Sequence, residues 1–216
     1  MDAAALMARL RREGISDRIV DAMSTVPRDA FVPTDLRSEA WEDHPIPIGW
    51  GQTISQPFVV GLMTQAAAVG PGDVALDVGT GSGYQAAVLA ACGARVIGIE
   101  RIEELAQRAR VTLVSVGLDV PVVCGDGATG WPDGAPYDAI VVGAAAESVP
   151  AALVEQLRAP SADRRGGRLV IPVGESGLFG GQRLELIERT ERGTRREHLL
   201  DVVFVPLVTR HRRWWP

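Results

Sequence analysis

Apolar residues recur with two different periods along this chain, and the change of period separates an N-terminal helical part from a longer α/β part. Near the start, Ala3, Leu6, Met7 and Leu10 fall on one face at helical spacing. After Gly14, Ser16 is placed to cap a second helix, with Ile15 and Val20 as a hydrophobic staple across its start. That helix presents Ile19, Val20 and Met23 on one side and should stop before Pro27. From 27 to 57 the chain is rich in Pro, Gly and Trp and shows no sustained period. Ordering so long an irregular segment costs entropy, so it is expected to serve a function.

Beyond Pro57 the pattern becomes regular. A helix over 58–69 ends at Gly70-Pro71-Gly72, and strands then alternate with helices. Strands are expected at 74–78, 95–99, 120–123, 139–142 and 168–171, with helices at 82–92, 102–116 and near 150–158. Near-continuous apolar strands joined through helices indicate a parallel sheet covered on both faces. Segments 183–188 and 199–207 read as strands joined by a charged turn around Gly193, with no helix between them. They should pair as an antiparallel hairpin. Without repeats or linkers, 216 residues suit one domain spanning 1–216.

Composition mainly excludes. A net charge of −5 argues against nucleic acid as a partner, because phosphate binding needs a concentrated basic face. The basic clusters at Arg9, Arg11 and Arg12, at Arg192, Arg195 and Arg196, and at Arg210, Arg212 and Arg213 lie near chain ends or turns and read as solvated surface. All 22 basic residues are Arg and Asn is absent, which coding bias explains. Cys92 and Cys124 have neither disulfide-framework nor metal-ligand spacing, so buried free thiols and no metal are expected. No basic-then-apolar leader and no apolar run of about 20 residues is present, so a cytoplasmic protein with no membrane partner is expected. A monomer is favoured.

The most informative stretch is Asp77-Val78-Gly79-Thr80-Gly81-Ser82-Gly83-Tyr84, between a strand and a helix. Open α/β sheets bind ligands there, and the glycines allow a tight turn and close backbone approach. Glu100 ends the next strand, 21 residues after Gly79, where a carboxylate can accept from ribose hydroxyls. A dinucleotide fingerprint needs a glycine where Tyr84 stands, and Asp77 would repel a pyrophosphate. An acid before the loop suits a ligand ammonium instead. S-adenosylmethionine carries an ammonium and a sulfonium and no phosphate, so it is the expected cofactor. In Gly125-Asp126-Gly127, after the third strand, Asp126 can accept from the adenine amino group while Gly127 N–H donates to the ring.

Ile48-Gly49-Trp50-Gly51-Gln52-Thr53-Ile54-Ser55-Gln56-Pro57, with Val26-Pro27-Arg28 and Phe31-Val32-Pro33, resembles the protein-L-isoaspartate O-methyltransferase family. The likeness continues through the glycine loop, Gly125-Asp126-Gly127, Tyr137-Asp138, Val149-Pro150, the run 166–174 and Phe204-Val205-Pro206-Leu207. It thus runs from about Met23 to Leu207. The resemblance implies a Rossmann-like class I S-adenosylmethionine-dependent methyltransferase: a mostly parallel seven-stranded sheet with a C-terminal antiparallel hairpin and N-terminal helices. Residues 1–57 would hold the helices and active-site loop, and 58–216 the cofactor-binding core.

The activity it implies is methyl transfer from S-adenosylmethionine to the free α-carboxylate of L-isoaspartyl residues in damaged polypeptides. That step initiates repair through a succinimide and leaves S-adenosylhomocysteine. By the same resemblance Ser55 and Thr53 belong to the catalytic segment, which lies over the cofactor. Ile54, Gln56, Asp77, Gly79, Gly81, Glu100, Asp126 and Gly127 are cofactor contacts. Val208 stands where the family often has Thr, and Thr209 follows.

Such an acceptor is ionised at neutral pH and needs no general base, in keeping with a chain of only three His and no Ser-His-Asp pattern. Alternatives are an aspartyl methyltransferase acting on one dedicated biosynthetic peptide, whose relatives tend to carry extra C-terminal sequence, and a non-catalytic cofactor-binding protein. A nucleotide-dependent oxidoreductase is disfavoured by Tyr84.

Overall fold

A computed structural model describes residues 1–175 and 181–208. Its elements follow the change of period. Helices α1 (Ala3–Arg12) and α2 (Asp17–Thr25) precede two 3-10 turns, Arg28–Phe31 and Thr34–Glu39, and a ribbon of β1 (Ile46–Gly49) and β2 (Gln52–Ile54). After α3 (Pro57–Ala67) come β3 (Val74–Val78), α4 (Tyr84–Ala91), β4 (Arg95–Glu100), α5 (Glu103–Ser115) and β5 (Val122–Cys124). Strand β6 (Ala139–Val142), α6 (Ala151–Glu155), β7 (Arg168–Gly174), β8 (Gln182–Thr190) and β9 (Gly193–Val202) complete the order.

The main sheet has seven strands in the order β5-β4-β3-β6-β7-β8-β9. The first five are parallel, and β8 and β9 add antiparallel beyond β7. Alternate strand residues divide the core. Ala75, Val96, Ala139, Val141 and Val170 pack against the N-terminal helices and α3 to α5. Leu76, Val78, Ile140, Val142 and Leu169 face Tyr137, Leu153 and Leu157.

Where outcomes differ from expectation, the cause is local. Helix α4 starts at Tyr84 rather than 82 because Gly83, at φ +94, still belongs to the loop. Ser16 precedes α2, but its side chain makes no capping bond; Gln65 Oε1 accepts from Ser16 N instead, at 2.8 Å. Strand β9 begins at Gly193, six residues before the expected 199. Residues 193–198 lie on an exposed edge, where pairing demands no apolar pattern. The segment after Val202 leaves the sheet and returns to the end of β6, with Ala145 N donating to Val205 O and Leu207 N to Ala145 O. Cys92 is buried as expected, whereas Cys124 is exposed because it ends the short edge strand β5.

Among the described residues no helix is long and apolar enough to cross a membrane, and no cluster of potential metal ligands occurs. Thr209 and the Arg- and Trp-rich stretch at 210–216 lie outside the described residues.

Candidate active site

The site forms where β3, β4 and β6 end and the β1–β2 hairpin folds over them. The loop after β3 is fixed by backbone bonds: Gly79 N and Thr80 N donate to Ile99 O at 2.8 and 3.2 Å, and Gly83 N to Thr80 O at 2.8 Å. Gly81, at φ +55, presents its N–H to Glu100 Oε2 at 2.8 Å. Glu100 Oε1 accepts from Ile102 N at 2.9 Å. One carboxylate therefore ties the end of β4 to the glycine loop, with lone pairs remaining for ligand hydroxyls.

Asp77, the penultimate residue of β3, is 1% exposed, and its Oδ2 has no hydrogen-bond partner. Burial pushes its carboxyl up to about 7, opposed by hydrogen bonds from Thr80 and the Ala86 backbone and reinforced by the charge on Glu100. A buried acceptor lacking a donor is costly. An ammonium placed against Asp77 supplies both donor and counter-charge, so these residues fit the cofactor inferred from charge. Asp126 Oδ1 accepts from Ala128 N at 3.0 Å, turning the chain so that Gly127 faces the cavity. A Cβ on Gly127 would stand 2.5 Å from Val78 Cγ1, so glycine is required by close approach.

Three spaces meet here. A cavity of about 340 Å³ is bounded by Trp50, Gly81, Glu100, Ile102, Gly127 and Pro206. An inner recess holds Ile54, Asp77, Ser82 and Tyr84. A groove of about 940 Å³ runs past Gln56, Val173, Glu185, Asp201 and Phe204. Thr53 and Gly143 line all three spaces, and Ser55 lines the recess and the groove.

A family model described as protein-L-isoaspartate(D-aspartate) O-methyltransferase matches residues 1–212. The chain belongs to that family. A protein-L-isoaspartate O-methyltransferase of Synechococcus sp. is 48% identical over 206 residues, covering 93% of this chain and 82% of that one. The Methylorubrum populi protein of the same name is 50% identical over 207 residues, covering 94% and 92%. Among solved structures, one named protein-L-isoaspartate O-methyltransferase superposes with a TM-score of 0.81 at 27% identity; 95% of this chain matches 65% of that longer one. A Plasmodium falciparum structure, named as a beta-aspartate methyltransferase in complex with S-adenosyl-L-homocysteine, gives 0.80 at 26% identity, covering 96% and 99%.

Within this methyltransferase fold the sequence-derived residues do not all converge on one space. Asp77, Gly79, Gly81, Glu100 and Gly127 border the cavity or recess. Ile54 is buried in the recess wall, whereas Gln56 faces the groove, its Nε2 donating to Asp43 Oδ2 at 3.0 Å. Asp43 also accepts from Phe58 N at 2.9 Å and so fixes the start of α3.

Two supporting residues escaped the sequence reading. Arg28 is fully buried: Nη2 donates to Ser55 O at 2.8 Å, Nε to Ala40 O at 2.9 Å, and its guanidinium lies 4.7 Å from the Tyr84 ring centroid. Burial lowers its pKa, partly offset by Tyr84 and Asp43. Gln182 grips the backbone of Phe204 from both sides, donating to its carbonyl at 3.2 Å and accepting its N–H at 2.6 Å. That grip holds the wall at Phe204 and Val205, which the groove shares with the cavity at Val205. The Arg28 motif was visible without its role. Nothing in the sequence distinguishes Gln182 from any strand glutamine. His44 lies beside Glu39 at the surface and His198 beside Asp201 on the groove's rim, and neither imidazole lines the cavity, the recess or the groove.

Proposed function

We propose that this chain performs the reaction of its family, methylating the free α-carboxylate of L-isoaspartyl residues in damaged polypeptides, with Thr53 and Ser55 setting the acceptor in place. The observation that carries this reading is the meeting of the three spaces at Thr53 and Gly143, with Ser55 on the boundary between recess and groove. In this assignment the outer cavity takes the nucleoside, the recess the amino-acid end of the cofactor, and the groove the polypeptide. Residues 1–57 supply the acceptor-orienting segment and residues 58–216 the cofactor core.

When bound, S-adenosylmethionine supplies a methyl group activated by its sulfonium. Asp77 holds the ammonium, Glu100 the ribose hydroxyls, and Asp126 with Gly127 the adenine edge. The acceptor carboxylate arrives ionised, so no side chain has to remove a proton. The Ser55 hydroxyl and nearby backbone N–H groups orient it, while Arg28 fixes the Ser55 carbonyl from behind. Alignment of this kind can supply about 7–11 kcal/mol in favourable cases. The following backbone nitrogen then attacks the ester carbonyl, the acyl C–O bond breaks and methanol leaves with the amide proton, giving a succinimide whose hydrolysis returns part of it as aspartate. Relatives near 50% identity carry the isoaspartate name, which weighs against a methyltransferase dedicated to one biosynthetic peptide. Free thiols at Cys92 and Cys124 support a reducing, cytoplasmic site of action.

Ser55→Ala is the direct test of this assignment. Losing a hydrogen bond to a charged group should lower turnover about tenfold to a hundredfold at saturating cofactor. S-adenosylhomocysteine affinity, measured by calorimetry, should stay within about a factor of two of wild type. Wild-type turnover would remove Ser55 from the mechanism.

A further inference from the structure

The tip of the β1–β2 hairpin carries a large apolar side chain in a backbone conformation that L residues rarely adopt. Trp50 has φ +52, followed by Gly51 at φ +68, so both central turn residues are left-handed. Such two-residue turns favour Asn, Asp or Gly. Among the described residues Ala68 is the other non-glycine at positive φ, and its role as the left-handed cap of α3 accounts for it. Trp50 has no such account within the fold. Its side chain is 48% exposed and joins neither hydrophobic cluster. An exposed indole on a disfavoured backbone points to a use outside folding.

Its surroundings indicate which use. Trp50 lines the outer cavity together with Gln52, Gly81, Glu100 and Ile102, and does not border the groove. Arg108, projecting from α5, stands 5.5 Å from the indole centroid and donates to the carbonyl of Ile48 on the same hairpin. One guanidinium thus holds both the ring, through a cation–π contact, and the strand that carries it. The cavity therefore combines a carboxylate suited to sugar hydroxyls with a restrained aromatic surface suited to a flat heterocycle.

We propose that Trp50 caps the nucleoside-binding cavity, packing its indole on the nucleoside half of the cofactor, with Arg108 holding the ring in place. The inference rests on the assignment of that cavity to the nucleoside and adds a contact that the glycine loop and Glu100 do not provide. Because the residue contributes little to the core, its removal should affect ligand affinity far more than folding.

The test is calorimetric titration of S-adenosylhomocysteine into wild type, Trp50→Ala and Trp50→Phe, with ligand-free melting and tryptophan fluorescence in parallel. Trp50→Ala should weaken binding about tenfold, and Trp50→Phe should recover most of the loss. Ligand-free melting temperatures should agree within about 2 °C. Binding should change the fluorescence of wild type, and that change should be absent in Trp50→Phe. This last readout stands even if the alanine variant folds poorly. Unchanged affinity in Trp50→Ala, or a persisting fluorescence change in Trp50→Phe, overturns the proposal. So does a raised KM for an isoaspartyl peptide with S-adenosylhomocysteine affinity intact, since Trp50 would then serve the acceptor. Failure of the wild-type chain to bind S-adenosylhomocysteine would instead overturn the cavity assignment beneath it.

Discussion

Replacing Asp77 with Asn is expected to make the ligand-free protein more stable at neutral pH while weakening S-adenosylhomocysteine binding about a hundredfold. Both effects come from one buried carboxyl. Its pKa rises from 3.8 to about 7 in the folded chain, chiefly through burial, against hydrogen bonds from Thr80 and Ala86 and with added repulsion from Glu100. Below pH 3.8 the carboxyl is protonated in both states and has no effect on stability. Between there and about 7 the folded chain keeps a proton that the unfolded chain has released, so stability falls as pH rises. Above about 7 the penalty is complete, on the order of 4 kcal/mol.

Asn avoids that penalty because it carries no charge to desolvate, but it offers an ammonium no counter-charge. Wild type and Asp77→Asn should therefore melt alike near pH 4 and diverge steadily toward pH 8, with the variant higher. A variant that melts below wild type at pH 8, or binds S-adenosylhomocysteine as tightly, would contradict this account of Asp77. Stability given up at a functional carboxyl is a familiar trade.

The second large effect is expected at Arg28. Arg28→Met should lower stability by about 3 kcal/mol, or roughly 10 °C in melting temperature, and should lower turnover even where the protein remains folded. The guanidinium donates to two carbonyls, Ala40 O and Ser55 O, and stacks on Tyr84. Methionine fills similar volume but leaves both carbonyls without that donor and releases the Ser55 backbone. Relief of the cation's burial offsets part of the loss. Arg28→Lys keeps the charge but cannot reproduce the planar fork, so it should fall between the two. Tyr84 packs edge-on against Phe31 at 5.6 Å, which ties the start of α4 to the same N-terminal segment. A melting temperature for Arg28→Met within about 2 °C of wild type would show that these contacts do not hold the segment.

These two residues also mark what the sequence could reveal. Asp77 was legible because its neighbours are constrained: it interrupts a buried apolar strand one residue before the strand's end, and the loop beyond adopts left-handed conformations at Gly79, Gly81 and Gly83. Strands β3 and β6 were bounded correctly for the same reason, since both faces are covered and the apolar run stops where the cover stops. Arg28 could be seen only as part of a motif. Its partners are backbone carbonyls 12 and 27 residues away, and carbonyls leave no trace in side-chain chemistry.

The β1–β2 ribbon was missed because its turn is built on Trp50 rather than a customary turn residue. The start of β9 was missed because an exposed edge requires no alternation. Gln56 illustrates a different limit: position in a motif indicated nearness to the site but not which of its spaces the side chain faces.

In the proposed function, donor and acceptor pair where cavity, recess and groove meet at Thr53 and Gly143. The most direct measurement is transfer of labelled methyl from S-adenosylmethionine to two peptides identical except that one carries L-isoaspartate and the other aspartate. Base-labile methyl ester on the isoaspartyl peptide alone is the predicted result. Equal labelling of both peptides, or of neither while S-adenosylhomocysteine still binds, would contradict it.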